Sequence, residues 1–210
     1  MRLGCPAIYI LGAPRYVYVH VNLANCITLG RILLIPVFVT FAIYYGESVS
    51  EGAAREWLRY AAMAAFGTAA LSDLLDGWVA RNFGQESRLG RILDPLADKL
   101  LLVSAILTLS LSSWPAPVPL WFVVVVLTRE VLAVASAFIV DHLAGKVDIR
   151  PHWTGKLATA LQIAAVATAM LRLPGIVGWV AAPAIVFTIA STVIYVADAG
   201  RQLKTAGVLP

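Results

Sequence analysis

Long apolar stretches, broken by short polar clusters, set the pattern of this chain. A helix that crosses a bilayer needs roughly 20 mostly apolar residues. Six stretches fit, at about 27–45, 57–80, 92–111, 118–140, 153–171 and 176–196. The expected fold is all-α, an integral membrane protein of six transmembrane helices. A proline-rich, uncharged turn is expected over Ser112–Pro119, and a second short turn around Pro174 and Gly175. The segment from Asn22 to Gly30 is expected to lie along lipid headgroups before the first span dips inward. Residues 1–21 read as an N-terminal extension. Met1–His20 mixes Arg2, Arg15, two prolines and several aromatics, and has neither the clean apolar core nor the small-residue cleavage site of a signal peptide. Residues 22–204 then form one transmembrane domain and residues 205–210 a tail.

Composition supports the bilayer as solvent. The chain is 60% hydrophobic and 13% charged, against about 25% charged in soluble domains. A net charge of +4 is modest, so no nucleic-acid partner is expected. Basic residues beside apolar spans instead contact membrane lipids and set orientation. With a cytoplasmic N-terminus, the inner loops hold Arg81, Arg88, Arg91, Lys146, Arg150, Lys156, Arg201 and Lys204. The opposite side holds Arg55, Arg59 and Arg172 beside Glu47, Glu51 and Glu56. That bias places both termini inside. Two cysteines are too few for a disulfide framework. His142 and His152 lack metal-ligand spacing and read as ordinary interfacial residues.

Candidate chemistry is concentrated in Ser72–Lys99, SDLLDGWVARNFGQESRLGRILDPLADK. Asp73 and Asp76 stand three apart at the end of the second span, on one helix face. Gly77 and Ala80 continue that side and are small enough for close approach of a helix or a substrate. Arg81 follows. Gly90, Asp94 and Asp98 recur every four residues at the start of the third span. A short connection makes the two helices antiparallel neighbours, so four carboxylates are expected to converge. In a low-dielectric setting such a group either takes up protons or binds cations. Oxygen-only ligands suit Mg²⁺ or Mn²⁺, and two such ions about 3.5–4 Å apart are a standard device for displacement at phosphorus. Helix caps and loop charges account for single aspartates but not for four at this spacing.

The residues read D-x2-D-G-x2-A-R-x8-G-x3-D-x3-D from Asp73 to Asp98. This resembles the signature of the CDP-alcohol phosphotransferases, eight positions at fixed spacing with no departures. The resemblance implies that family's six-helix membrane fold, a homodimer, and an active site open to the cytoplasm. It implies metal binding by Asp73, Asp76 and Asp94, with Asp98 touching one metal and acting as general base. Gly77, Ala80 and Gly90 would make room for the cytidine nucleotide, and Arg81 would contact its phosphates. The chemistry is consistent. A carboxylate within hydrogen-bond reach can deprotonate an acceptor alcohol, and metals bridging a diphosphate stabilise charge on departing CMP. Asp98 lies furthest along the third helix and is expected deepest in the pocket.

Other segments bear on the acceptor. Asn22-Leu-Ala-Asn-Cys-Ile-Thr-Leu-Gly-Arg31 with Pro36, Asp94-Pro-Leu-Ala-Asp-Lys99, Thr128-Arg129-Glu130, and Gly155-Lys156 with Thr159 and Gln162 are similar to motifs of the bacterial phosphatidylglycerophosphate synthases within that family. The donor would then be CDP-diacylglycerol and the acceptor glycerol 3-phosphate, in a bacterial inner membrane. Arg129 lies in the fourth span and needs a cavity or a partner there. With Arg150 and Lys156 it is expected to form the acceptor phosphate site. Adjacent helix positions do not face each other, so an Arg129–Glu130 pair is not expected. Arg150 and Lys156 can equally serve as orientation charges. Thr28 and Arg31 either help hold the donor nucleotide or, for Arg31, anchor the first span in headgroups. Two other acceptors keep the same chemistry: phosphatidylglycerol, as in a cardiolipin synthase, and an inositol phosphate. An ion or solute transporter also carries intramembrane acids, but near midplane on broken helices.

Overall fold

The computed structural model describes residues 23–83, 90–145 and 153–205, and within them the side chains other than 23–26, 73–83, 90–95 and 144. Six helices in chain order make up the described elements: α1 (Leu23–Ser50), α2 (Glu56–Phe83), α3 (Gly90–Leu111), α4 (Leu120–Ala144), α5 (Trp153–Met170) and α6 (Pro174–Thr205). They match the six apolar stretches. Among the described residues, three are long and apolar enough to cross a membrane: 27–50 of α1, 120–143 of α4 and α6. The expectation of six spans is corrected to three on that measure. The reason is charge and length. α2 opens with Glu56 and Arg59 and closes among Asp73, Asp76 and Arg81. α3 opens with Arg91, Asp94, Asp98 and Lys99. α5 has only 18 residues, diluted by Lys156, Gln162 and three threonines.

Two boundaries also differ. Residues 23–30 are continuous with α1 and are not a separate headgroup segment. Pro174 begins α6 instead of sitting in a turn; its missing N–H and fixed φ suit a first helical position. Inside α1, Pro36 removes one backbone bond, and Thr40 donates its hydroxyl to the Pro36 carbonyl at 2.8 Å. α4 ends at Gly145, φ 71°, whose N–H bonds the Asp141 carbonyl. That left-handed cap is nearly free of strain only for glycine.

The chain divides into two compact units. The first comprises residues 1–44 and 56–104. There Phe38 packs on Phe66 with ring centroids 5.7 Å apart, and Phe41 meets Trp57 edge-on at 6.1 Å. Ala62, Ala65 and Ala69 are buried along one stripe of α2.

The second unit comprises residues 45–55 and 105–210. α6 packs against both α4 and α5. Its buried positions, Val177, Ala181, Ala184, Thr188 and Ser191, recur every three or four residues. On α5, Ala158, Ala165 and Ala169 are buried likewise. Lipid gives helices little hydrophobic reason to associate, so small residues that allow close backbone contact replace bulky ones at such seams. At one end of the unit the connections are tied together. Tyr45 meets Trp114 edge-on at 4.6 Å, Trp114 donates Nε1–H to the Ala169 carbonyl at 2.9 Å, and Arg172 donates to the Tyr45 hydroxyl. Ser48 donates to the Tyr45 carbonyl and accepts the Arg55 N–H. Gly46 leaves room for Ser112 and the Ser113 backbone, each 3.1 Å from where a Cβ would stand.

Candidate functional site

The aspartate motif falls on two consecutive helices of the first unit. Asp73 and Asp76 are within α2, one turn apart, and Asp94 and Asp98 are one turn apart in α3. The helical register assumed for the motif is therefore present. The side chains of Asp73, Asp76, Gly77, Ala80, Arg81, Gly90 and Asp94 lie outside the described residues, and so does Arg150. Asp98 is half-buried, between fully buried Ala97 and exposed Lys99.

α1 contributes a buried polar pair to the same unit. Thr28 is buried, and Arg31, 1% exposed, is one of the largest fully buried side chains. Its Nε donates to the Ser72 hydroxyl at 3.4 Å, one residue before Asp73. This bears on the headgroup reading of Arg31 alone. A headgroup anchor needs an accessible guanidinium, and this one is enclosed. A buried cation is retained where counter-charge or a polar ligand compensates it, which fits a place beside the acidic motif.

The second unit holds a different cluster. Arg129 stands near the middle of α4 and pairs through Nη1 with Glu130 Oε1. The expectation that these neighbours do not pair is corrected. The facing rule concerns where side chains leave the helix, and two long side chains can still curl toward each other. Arg129 Nε has no hydrogen-bond partner among the described residues. Gly155, in the first turn of α5, is buried beneath it: a Cβ there would lie 3.7 Å from Arg129 Nη2, 3.2 Å from the Ser191 hydroxyl and 3.4 Å from the Tyr195 hydroxyl. Lys156 is exposed on the next position. Below, Gln162 donates to the Thr188 hydroxyl at 2.9 Å. A cavity of about 230 Å³ between α4 and α6 is lined by Val124, Val125, Thr128, Arg129, Ile189, Thr192 and Val193. Ser191 and Tyr195 were not singled out by sequence reasoning. Their signal was the 188–191–195 spacing of hydroxyls inside an otherwise apolar run.

Comparison with known proteins bears on what these residues do. The family model described as CDP-alcohol phosphatidyltransferase matches residues 21–194. The chain is 37% identical over 186 residues to the "Probable phosphatidylglycerophosphate synthase" of Mycobacterium tuberculosis strain H37Rv, covering 87% of this chain and 83% of that protein. It is 31% identical over 153 residues to the "CDP-diacylglycerol--glycerol-3-phosphate 3-phosphatidyltransferase" of Escherichia coli strain K12, covering 72% of this chain and 78% of that one.

Proposed function

The chain belongs to the CDP-alcohol phosphatidyltransferase family, and on that footing we propose that it transfers the phosphatidyl group of CDP-diacylglycerol to glycerol 3-phosphate, giving phosphatidylglycerol phosphate and CMP. The observation that carries the reading is the eight-position motif of residues 73–98, set on two consecutive helices at the register it requires. The names of the relatives support the choice of donor and acceptor.

The family is generally dependent on divalent metal ions. The donor set fits: four carboxylates, all-oxygen, in two one-turn pairs on α2 and α3. Asp73, Asp76, Asp94 and Asp98 would hold two ions, Mg²⁺ or Mn²⁺. When bound, the ions supply charge neutralisation on the diphosphate and on the departing CMP. The chain's own residues do the rest. Gly77, Ala80 and Gly90 admit the nucleotide, Arg81 contacts its phosphates, and Thr28 and Arg31 support the donor from α1. Arg129, Arg150 and Lys156 bind the phosphate of the acceptor. Asp98 takes the proton from the acceptor hydroxyl as that oxygen bonds to the lipid-linked phosphorus and the bond to CMP breaks. Residues 22–204 are the catalytic domain, in a bacterial inner membrane, facing the cytoplasm and working as a homodimer among membrane lipids.

The test uses purified protein in detergent with radiolabelled glycerol 3-phosphate. Label should enter lipid only when CDP-diacylglycerol and Mg²⁺ or Mn²⁺ are both present. Phosphatidylglycerol and inositol phosphate are run as competing acceptors. Faster turnover with either one replaces the acceptor assignment, and turnover indifferent to chelation removes the metal assignment.

A further inference from the structure

α1 and α2 meet along a seam that changes character as it nears the aspartates. Away from them it is apolar: Phe38 packs on Phe66 with ring centroids 5.7 Å apart, and Ala42, Ala62, Ala65 and Ala69 are buried. From 38 back to 31 on α1, and from 66 on to 72 on α2, the contact becomes polar. Arg31 donates Nε–H to the Ser72 hydroxyl at 3.4 Å. The two contacts step in opposite directions along the chain, as antiparallel helices require. Thr28, one turn before Arg31, is fully buried on the same stripe of α1. The Ser72 hydroxyl has a single hydrogen, which goes to the Ala69 carbonyl at 2.7 Å, the usual habit of a helical serine. Toward Arg31 it can act only as an acceptor, so the guanidinium is the group that holds it.

An apolar seam alone does not fix this part of the molecule. Lipid gives helices little hydrophobic reason to associate. Apolar contacts also leave rotation and register open, whereas a single buried polar contact selects one of each. A methionine at position 31 would fill the volume more cheaply than a guanidinium. What the arginine adds is direction. Its bond holds α2 at one rotation, and α2 runs on into Asp73, the next residue, and Asp76, one turn beyond Ser72. On the reading above, those two carboxylates share metal ions with two more on α3. Like charges brought together oppose one another until the ions arrive. Gly77 follows directly, and glycine weakens a helix interior. A ligand pair so placed needs its helix held from another side.

We infer that Ser72 is a positioning residue for the metal ligands: the buried Arg31 of α1 grips its hydroxyl and so fixes the turn of α2 that presents Asp73 and Asp76. The inference rests on the assignment of the aspartates as metal ligands made above. It gives the support from α1 a route, which runs through the α2 helix and not through contact with a substrate.

The experiment measures Mn²⁺ binding to the purified full chain in detergent by electron paramagnetic resonance, with no substrate present. Wild type is compared with S72A, S72T and S104A, each confirmed as folded by size exclusion and thermal melting. Groups that orient metal ligands are typically worth about tenfold or more in affinity, so S72A should bind Mn²⁺ about tenfold more weakly. S72T keeps a hydroxyl able to bond a carbonyl one turn back, and should stay within about twofold of wild type. S104A is the control. Ser104 also returns its hydroxyl to a carbonyl three residues back, that of Leu101 at 2.9 Å, and its loss should change Mn²⁺ affinity by less than about twofold. Wild-type affinity in S72A, an equal loss in S72A and S104A, or an S72T as weak as S72A overturns the inference. R31M tests the route. If the hydroxyl acts through Arg31, R31M/S72A should bind Mn²⁺ within about twofold of R31M alone, and a further tenfold loss overturns the inference. Should R31M not fold, the serine variants decide. Failure of the proposed function reads differently. Should the wild type transfer nothing to glycerol 3-phosphate, the function falls, while weaker Mn²⁺ binding in S72A alone still supports the positioning role. A wild type that takes up no Mn²⁺ overturns it.

Discussion

Two buried polar groups in the second unit invite comparison. One ties the connections around Tyr45, Trp114 and Arg172. The other surrounds Gly155 with Arg129, Ser191 and Tyr195. In the first, side chains tie the connections to one another: the Trp114 indole donates to the Ala169 carbonyl, Arg172 donates to the Tyr45 hydroxyl, and Ser48 bridges the Tyr45 carbonyl and the Arg55 amide. The Arg172 guanidinium also sits 5.4 Å over the Tyr45 ring, a cation–π contact that adds to the tie. In the second, Arg129 Nε and the Ser191 hydroxyl have no hydrogen-bond partner among the described residues. The lesson is that burial of polar atoms has two uses. Where the protein satisfies its own donors, it is holding itself together. Where a buried donor is left over, a ligand is one of the things that can meet it.

The largest effect sharpens the comparison from outside both groups. D98N should lower kcat by roughly a thousandfold through loss of the general base, with the melting midpoint in detergent unchanged. Near-normal turnover in that variant would remove the base assignment. R129A comes next. It should cost roughly a hundredfold in kcat/KM for glycerol 3-phosphate, the scale of a charge-assisted contact, together with a lower melting midpoint, because Glu130 loses its ion pair with Arg129. W114F should lower stability alone. Loss of the indole hydrogen bond costs about 1 kcal/mol of stability, read as a lower melting midpoint, while activity of the folded enzyme stays at the wild-type level. A W114F protein that is stable but slow would break the division between the two groups. The smallest effect concerns Arg172, which has φ 58°. A left-handed non-glycine residue costs about 1 kcal/mol, so R172G should melt higher than R172A by that amount, although both lack the guanidinium.

The six helices were legible because their apolar runs are long and are separated by prolines, glycines and charges. The proline-rich turn after α3 was legible for the same reason. The aspartate register followed from spacing alone, since positions three and four apart share a helix face. Arg31 was open in sequence because an arginine near a span end is compatible with either the donor nucleotide or a headgroup anchor, and its enclosure argues against the anchor. The Arg129–Glu130 pair was missed because adjacency rules describe Cβ directions and not the reach of long side chains. Ser191 and Tyr195 were missed because hydroxyls are cheap in apolar helices and look like filler until a facing glycine gives them a shared target. The number of apolar spans was overcounted because runs were drawn through the charged ends of α2 and α3.

The alanine-lined seam of α5 and α6 has a calorimetric consequence. Heat capacity rises on unfolding when apolar groups meet water. Ala158, Ala165 and Ala169 on α5, and Ala181 and Ala184 on α6, leave their seam for hydrocarbon when these helices separate in a bilayer. Their parting should therefore leave almost no heat-capacity signature, and its free energy should vary nearly linearly with temperature.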